Sequence, residues 1–326
     1  KLLKRHRESQ GLKVALIDVE DLYDEFNFGN KSPHAIKEFL TNAKKQWSRP
    51  PRFVLLVGDA SFDPKDYRGL GEMDFVPTKL IDTQYLETAS DDWFVDLNND
   101  GLPELAIGRL PVQTVEEASI VISKIVVYEK STEKDEVLLV ADRMEKGDFD
   151  FEGASEEVRS LLPSSLMVRR IYRGEFSSDA QAKGELLSGI NQGPLLVNFI
   201  GHGSVGIWRG NLLQSEDAET FTNKLRLPFF MAMTCLNGFF HDPHPIDSLA
   251  EALLKAQSGG AIAVWTSSGM TAPEGQWAMN KELMRLLFNE ERLTLGEATA
   301  RAKAATGDLD VRKTWLLFGD PSTRLK

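Results

Sequence analysis

Short, continuously apolar runs alternate with helix signals along most of this chain. The runs at 53–57, 105–107, 137–141, 195–200, 227–235, 261–265 and 315–318 have the length and apolar character of buried strands, and 166–171, which carries Arg169 and Arg170, the length of one. A further run at 13–19 predicts a first strand. Helix signals fill the intervals at 34–47, 114–130, 151–162, 180–190, 246–257, 277–288 and 295–305. Ser32-Pro33 and Thr114 provide N-terminal caps for the first two. This alternation predicts an α/β fold, with mostly parallel sheets flanked by helices.

The polar run Ser131-Thr132-Glu133-Lys134-Asp135 marks a boundary. It divides an N-terminal α/β subdomain over 1–132 from a second over 133–326, side by side with the first. Residues 60–103, rich in Asp, Pro and Gly, are too many for an ordinary connection and predict short strands and a site.

Composition narrows the function. The chain has 326 residues, 42% hydrophobic and 27% charged, the proportions of a soluble globular enzyme. A net charge of −11 argues against nucleic acid or an acidic membrane as the main partner. No apolar run approaches the roughly 18 residues of a membrane span. One cysteine excludes an internal disulfide and a thiolate zinc cluster. The chain opens at Lys1 in a basic helical stretch without a leader, so it reads as an excised fragment, silent on compartment.

That cysteine, Cys235, follows the apolar run Phe229-Phe230-Met231-Ala232-Met233. One strand signal earlier, Leu195-Leu196-Val197-Asn198-Phe199-Ile200 ends in Gly201-His202-Gly203-Ser204. Neighbouring parallel strands deliver their carboxyl ends to one crevice, so these two residues can meet. A thiol needs a base to become a nucleophile at neutral pH, and His202 can be that base. The N–H groups of Gly203 and Cys235 are candidates for an oxyanion hole.

At this point the chain resembles the gingipain family of cysteine peptidases, within the wider caspase–legumain group. The likeness rests on the His-Gly block at 194–204 and the Thr-Cys-Leu-Asn-Gly block at 227–238. It extends to 52–59, to Leu-Pro-Glu-Leu-Ala-Ile-Gly-Arg-Leu-Pro at 102–111, to 275–282 and to 314–322. The resemblance implies a caspase-like fold and a cysteine endopeptidase acting on protein or peptide substrates, secreted or at the cell surface. It implies Cys235 as nucleophile, His202 as its partner and Glu104 as the acid that orients the imidazole. No cofactor is required for that chemistry. Gingipains cleave after arginine or lysine, and by position 266–274 lines the corresponding pocket. Trp265, Ser268, Met270 and Glu274 are the expected substrate contacts, with Trp277 completing an apolar wall.

Other motifs compete for some of these residues. Asp96, Asn98 and Asp100 place oxygen ligands at every second position before Gly101, which suits a structural calcium, and Glu104 falls within reach of that loop. His241, Asp242, His244 and Asp247 invite a zinc reading, but two interspersed prolines favour a substrate-facing loop. Asp59 and Asp63 lack the glycine-rich cradle of a phosphate site and organise the long loop instead. Two other functions fit the same residues: a sortase-like transpeptidase on this scaffold, and a catalytically silent calcium-binding surface module.

Overall fold

The computed structural model describes residues 1–71, 73–130, 135–244 and 246–326. Its strands are β1 (Phe53–Val57), β2 (Lys79–Asp82), β3 (Glu87–Ser90), β4 (Ala106–Leu110), β5 (Glu136–Ala141) and β6 (Met167–Tyr172). They continue as β7 (Leu196–Ile200), β8 (Gly203–Ser204), β9 (Ile207–Trp208), β10 (Phe229–Met233), β11 (Ala263–Ser267) and β12 (Trp315–Phe318). The helices begin with α1 (Leu2–Ser9), α2 (Val19–Asn27), α3 (Pro33–Gln46), α4 (Val115–Tyr128) and α5 (Phe151–Arg159). They end with α6 (Asp179–Asn191), α7 (Leu249–Lys255), α8 (Pro273–Leu287), α9 (Leu295–Ala302) and α10 (Leu309–Thr314).

Eight strands form one sheet in the order β1-β4-β12-β11-β10-β7-β5-β6. Every neighbouring pair is parallel except β11 and β12. The two units expected from the sequence therefore share a continuous sheet, and β12 lies between β4 and β11. Of the expected boundary, residues 131–134 lie outside the described residues. Helices cover both faces, so β7, β10, β11 and β12 are buried along their whole length. That is why they read as unbroken apolar runs. Phe199 stacks on Trp208 with ring centroids 4.0 Å apart, and burying a side chain of that size contributes about 1.5–3 kcal/mol.

The first strand expected from the sequence is absent. Residues 13–17 are in neither helix nor strand, with Leu16 69% and Ile17 40% exposed. An apolar run becomes a strand only where a ladder accepts its backbone, and none does among the described residues. Asp18 instead caps α2 by accepting the Glu20 N–H.

Two buried cations hold the long stretch 60–103: Lys303, paired with Asp92, and Arg109. Arg109, on β4, donates Nε and Nη2 to the two oxygens of Asp91 at 2.6 and 2.8 Å. Its Nη1 donates to the carbonyls of Gly58 and Val76 at 2.7 and 2.8 Å. Removing one partner of such a buried pair costs about 3–5 kcal/mol. The hairpin of β2 and β3 within this stretch fastens to the end of β11, where Thr88 Oγ1 donates to Ser268 O at 2.7 Å. Among the described residues, no helix is long and apolar enough to cross a membrane.

Candidate active site

The parallel register pairs Ile200 of β7 with Met233 of β10. His202 and Cys235 each lie two residues beyond that pair, at the carboxyl ends of adjacent strands. Gly201 N donates to Met233 O at 3.2 Å, carrying the registry into the turn. The chain then folds differently on the two sides. After His202 it makes the hairpin of β8 and β9. After Cys235 it turns sharply, with Leu236 in the left-handed region at φ 62°, a conformation that costs a non-glycine residue about 1 kcal/mol or more. Leu236 N donates to Gly269 O at 3.0 Å, which holds the turn against the loop after β11.

Asn237 joins the two sides. Its Oδ1 accepts the Trp208 indole N–H at 2.7 Å, and its Nδ2 donates to Ser204 O at 2.5 Å. Nothing in the sequence pattern distinguished this residue.

The thiol donates to Thr271 O at 3.7 Å. Burial pushes its pKa up. The imidazole is half exposed, and Nε2 lies 3.5 Å from Asp148 Oδ1. Phe151 meets its edge with centroids 5.1 Å apart. Asp148 is held below the usual carboxylate range, chiefly by Arg209, then by the Glu145 N–H and His202. Arg209 thus favours the charged form of the acid beside the ring.

The acid beside the imidazole is therefore Asp148 and not Glu104. Glu104 precedes β4, four strands from β7, which is about 19 Å at the usual interstrand spacing. Its Oε2 accepts the Leu97 N–H at 2.6 Å. One carboxylate oxygen from each of Asp96, Asp100 and Glu104 lies within 4.8 Å of the others. Asn98 adjoins these acids: its Nδ2 donates to Asp100 Oδ2 at 3.1 Å, and its Oδ1 accepts the Asp100 N–H. An all-oxygen donor set of this kind fits a hard cation. Asp96 also spends both oxygens on the N–H groups of Asp100 and Gly101.

Two of the expected substrate contacts are core residues. Trp265 is 1% exposed and packs edge-on against Trp315. Ser268 is fully buried and donates its hydroxyl to Ala89 O at 2.6 Å, fastening the β2–β3 hairpin. Met270 is 41% exposed, between Gly269 and Thr271, whose carbonyls receive the Leu236 N–H and the Cys235 thiol. Glu274 is exposed in the first turn of α8. Trp277, further along α8, packs on Phe149, which in turn touches Phe151 beside His202. Of the expected apolar wall, Trp277 thus packs with Phe149, and Met270 is exposed in the loop after β11.

The oxyanion donors are placed as follows. Arg209 N donates to His202 O at 2.9 Å, so Gly203 and Trp208 form the non-hydrogen-bonded pair of the hairpin. The Gly203 N–H consequently lies outside that ladder. The Cys235 N–H has no acceptor among the described residues. His241 is buried against Phe239 and Phe240 and belongs to no cluster of three or more potential metal ligands among the described residues. His244 Nδ1 is 2.7 Å from Asp242 Oδ1.

Comparison with known proteins gives a consistent result. The sequence profile of peptidase family C25 matches residues 1–326. Gingipain R2 of Porphyromonas gingivalis is 26% identical over 336 residues, covering 97% of this chain and 42% of its own length. Lys-gingipain of the same organism is 23% identical over 233 residues, covering 71% of this chain and 12% of its own length. The chain thus spans less than half the length of these curated relatives. The complex of Porphyromonas gingivalis RgpB pro- and mature domains superposes with a TM-score of 0.80 at 22% identity, covering 100% of this chain and 75% of that one. The Arg-specific cysteine proteinase gingipain R superposes with a TM-score of 0.74 at 23% identity, covering 98% of this chain and 76% of that one. The likeness to the solved structures is one of fold, a caspase-like α/β sheet.

Proposed function

This chain belongs to peptidase family C25, and from that premise we propose that it is a cysteine endopeptidase working through Cys235 and His202. The carrying observation is the shared register of the two residues at the ends of β7 and β10. His202 takes the thiol proton as substrate enters. The thiolate sulfur attacks the peptide carbonyl carbon, and the developing oxyanion meets the N–H groups of Gly203 and Cys235. The imidazolium then gives its proton to the leaving amine, and water releases the acyl group with His202 again as base. Asp148 favours the tautomer and the charged form of the imidazole during both transfers. Met270, Trp277 and Phe149 supply apolar contact to the substrate, and Glu274 an acidic one.

The substrate is a protein or peptide, and a secreted or surface location follows from the same family footing. The carboxylates of Asp96, Asp100 and Glu104 would hold a structural calcium, with no part in the bond chemistry. The test is turnover of a fluorogenic peptide library, together with labelling by a peptidyl acyloxymethyl ketone. Cys235→Ala is expected to abolish both and His202→Ala to abolish turnover. Undiminished cleavage in Cys235→Ala would refute the reading. An added amine that captures the acyl group in preference to water would show a transpeptidase instead.

A further inference from the structure

We propose that Arg209 is the positioning residue of this site: its guanidinium sets where the Asp148 carboxylate stands, and through it the orientation of His202. The inference deepens the peptidase reading and rests on it.

Asp148 belongs to the segment 142–150, which contains neither helix nor strand. Inside the segment, Asp148 N donates to Glu145 O at 3.0 Å and Glu145 N to Asp148 Oδ2 at 3.3 Å. These bonds shape a turn without aiming it at the end of β7. The same nine residues carry four acids (Asp142, Glu145, Asp148 and Asp150) against two cations (Arg143 and Lys146), so acidic charge is in excess. Arg209 meets three of the four acids. Its Nη1 donates to Asp148 Oδ2 at 3.0 Å and lies 3.7 Å from Asp142 Oδ2. Its Nη2 is 2.5 Å from Glu145 Oε2. Its backbone N–H donates to His202 O at 2.9 Å. One residue therefore grips the main chain of the histidine and the carboxylate opposite its ring.

The neighbouring cation cannot take over. Arg173 Nη1 donates to Asp142 Oδ1 at 2.9 Å, while Nε and Nη2 donate to Asp179 at 2.8 and 2.7 Å. The two guanidiniums fit around residue 210 because it is glycine: a β-carbon there would stand 2.4 Å from Arg173 Nε. A planar fork can bridge two carboxylates at once, whereas an ammonium on a flexible stem is a single point charge. Any substitution at 209 other than proline keeps the N–H bonded to His202, so side-chain variants isolate the guanidinium.

The experiment is a double-mutant cycle on Arg209→Met and Asp148→Asn, read in two ways. The charges facing the ring through this network are Asp142, Glu145, Asp148, Arg173 and Arg209. In the parent, Asp148→Asn is expected to lower the His202 imidazole midpoint measured by NMR, since an opposite charge is lost. In Arg209→Met the same change is expected to move it less than half as far. The single substitutions are each expected to lower kcat/KM by about 10-fold or more, and the double variant to lose no more than the worse single. Equal midpoint shifts in both backgrounds, or losses that multiply, would overturn the assignment. Arg209→Lys and Arg209→Gln carry the same cycle if Arg209→Met does not fold. A parent whose turnover survives Cys235→Ala would refute the peptidase reading, while the titration would still decide the role of Arg209.

Discussion

Asn237 Oδ1 accepts the Trp208 indole N–H at 2.7 Å, locking the turn that carries Cys235 to the hairpin that begins just beyond His202. Both groups are buried. Asn237→Ala strands the indole N–H, each such orphaned group costing about 1–3 kcal/mol, and frees the two turns to drift apart. We expect lower stability in urea together with a fall in kcat/KM. Asn237→Asp keeps the acceptor for Trp208 but loses the donor to Ser204 O, and should fall between the two. Parental turnover in Asn237→Ala would show that the hairpin needs no such tie.

Gly203 is constrained by close approach. A β-carbon at this position would stand 2.7 Å from Thr234 Oγ1 and 2.9 Å from Ile207 O, a backbone atom that cannot yield cheaply. Gly203→Ala should push the hairpin outward and carry His202 with it. Misplacement by about 1 Å can cost about 100-fold in rate, so steady-state kinetics should show a large loss in kcat. Alkylation of Cys235 should persist, because the Thr234 side chain can turn aside while the Ile207 carbonyl cannot.

The resting thiol is expected to be sluggish. Burial raises its pKa, and its hydrogen bond goes to the Thr271 carbonyl. Iodoacetamide should therefore alkylate Cys235 of the substrate-free protein with a midpoint above about 8.5, the free thiol value. A midpoint well below 7 would mean that the thiolate–imidazolium pair already exists without substrate.

His241 should make the fold acid-labile. Burial depresses its pKa from 6.5 to about 4. The folded value lies below the unfolded one, so nothing is lost above pH 6.5, and stability falls as pH drops from there towards 4. The full loss is about 3 kcal/mol. His241→Gln titrates nowhere in that range, and its melting temperature should decline less between pH 6.5 and pH 4. Parallel declines in the two proteins would exclude His241 as the cause.

Calcium should stabilise the folded chain through the carboxylates of Asp96, Asp100 and Glu104. A cation at 100 times its Kd contributes about 2.7 kcal/mol, readable as a rise in melting temperature over a chelated sample. Glu104→Gln should remove most of that rise. An identical rise in both proteins would move the cation elsewhere.

The shared strand-end position of Cys235 and His202 was legible because strands buried on both faces leave long apolar runs, and parallel strands end side by side. Cys235 and His202 stand out against Phe229–Met233 and Leu196–Ile200 for that reason. Asp148 was not legible: it is one acid among several in an irregular segment, chosen by three-dimensional contact with Arg209. Glu104 misled because β4 starts on the same rim, yet three strands intervene between it and β7. Trp265 and Ser268 misled because nearness in sequence does not tell which side chains turn inward: Trp265 packs in the core from β11, and Ser268, just past it, bonds Ala89 O. The run at 13–17 has the composition of a strand without the ladder.

Strand β12 is translated after every other strand of the sheet, yet it sits between β4 and β11. Thr314, immediately before it, accepts the Ser268 N–H at 2.9 Å and so steadies the loop that receives the thiol. The β10–β11 half of the sheet and the loop beside Cys235 therefore gain their last neighbour only when the chain has been made through residue 318.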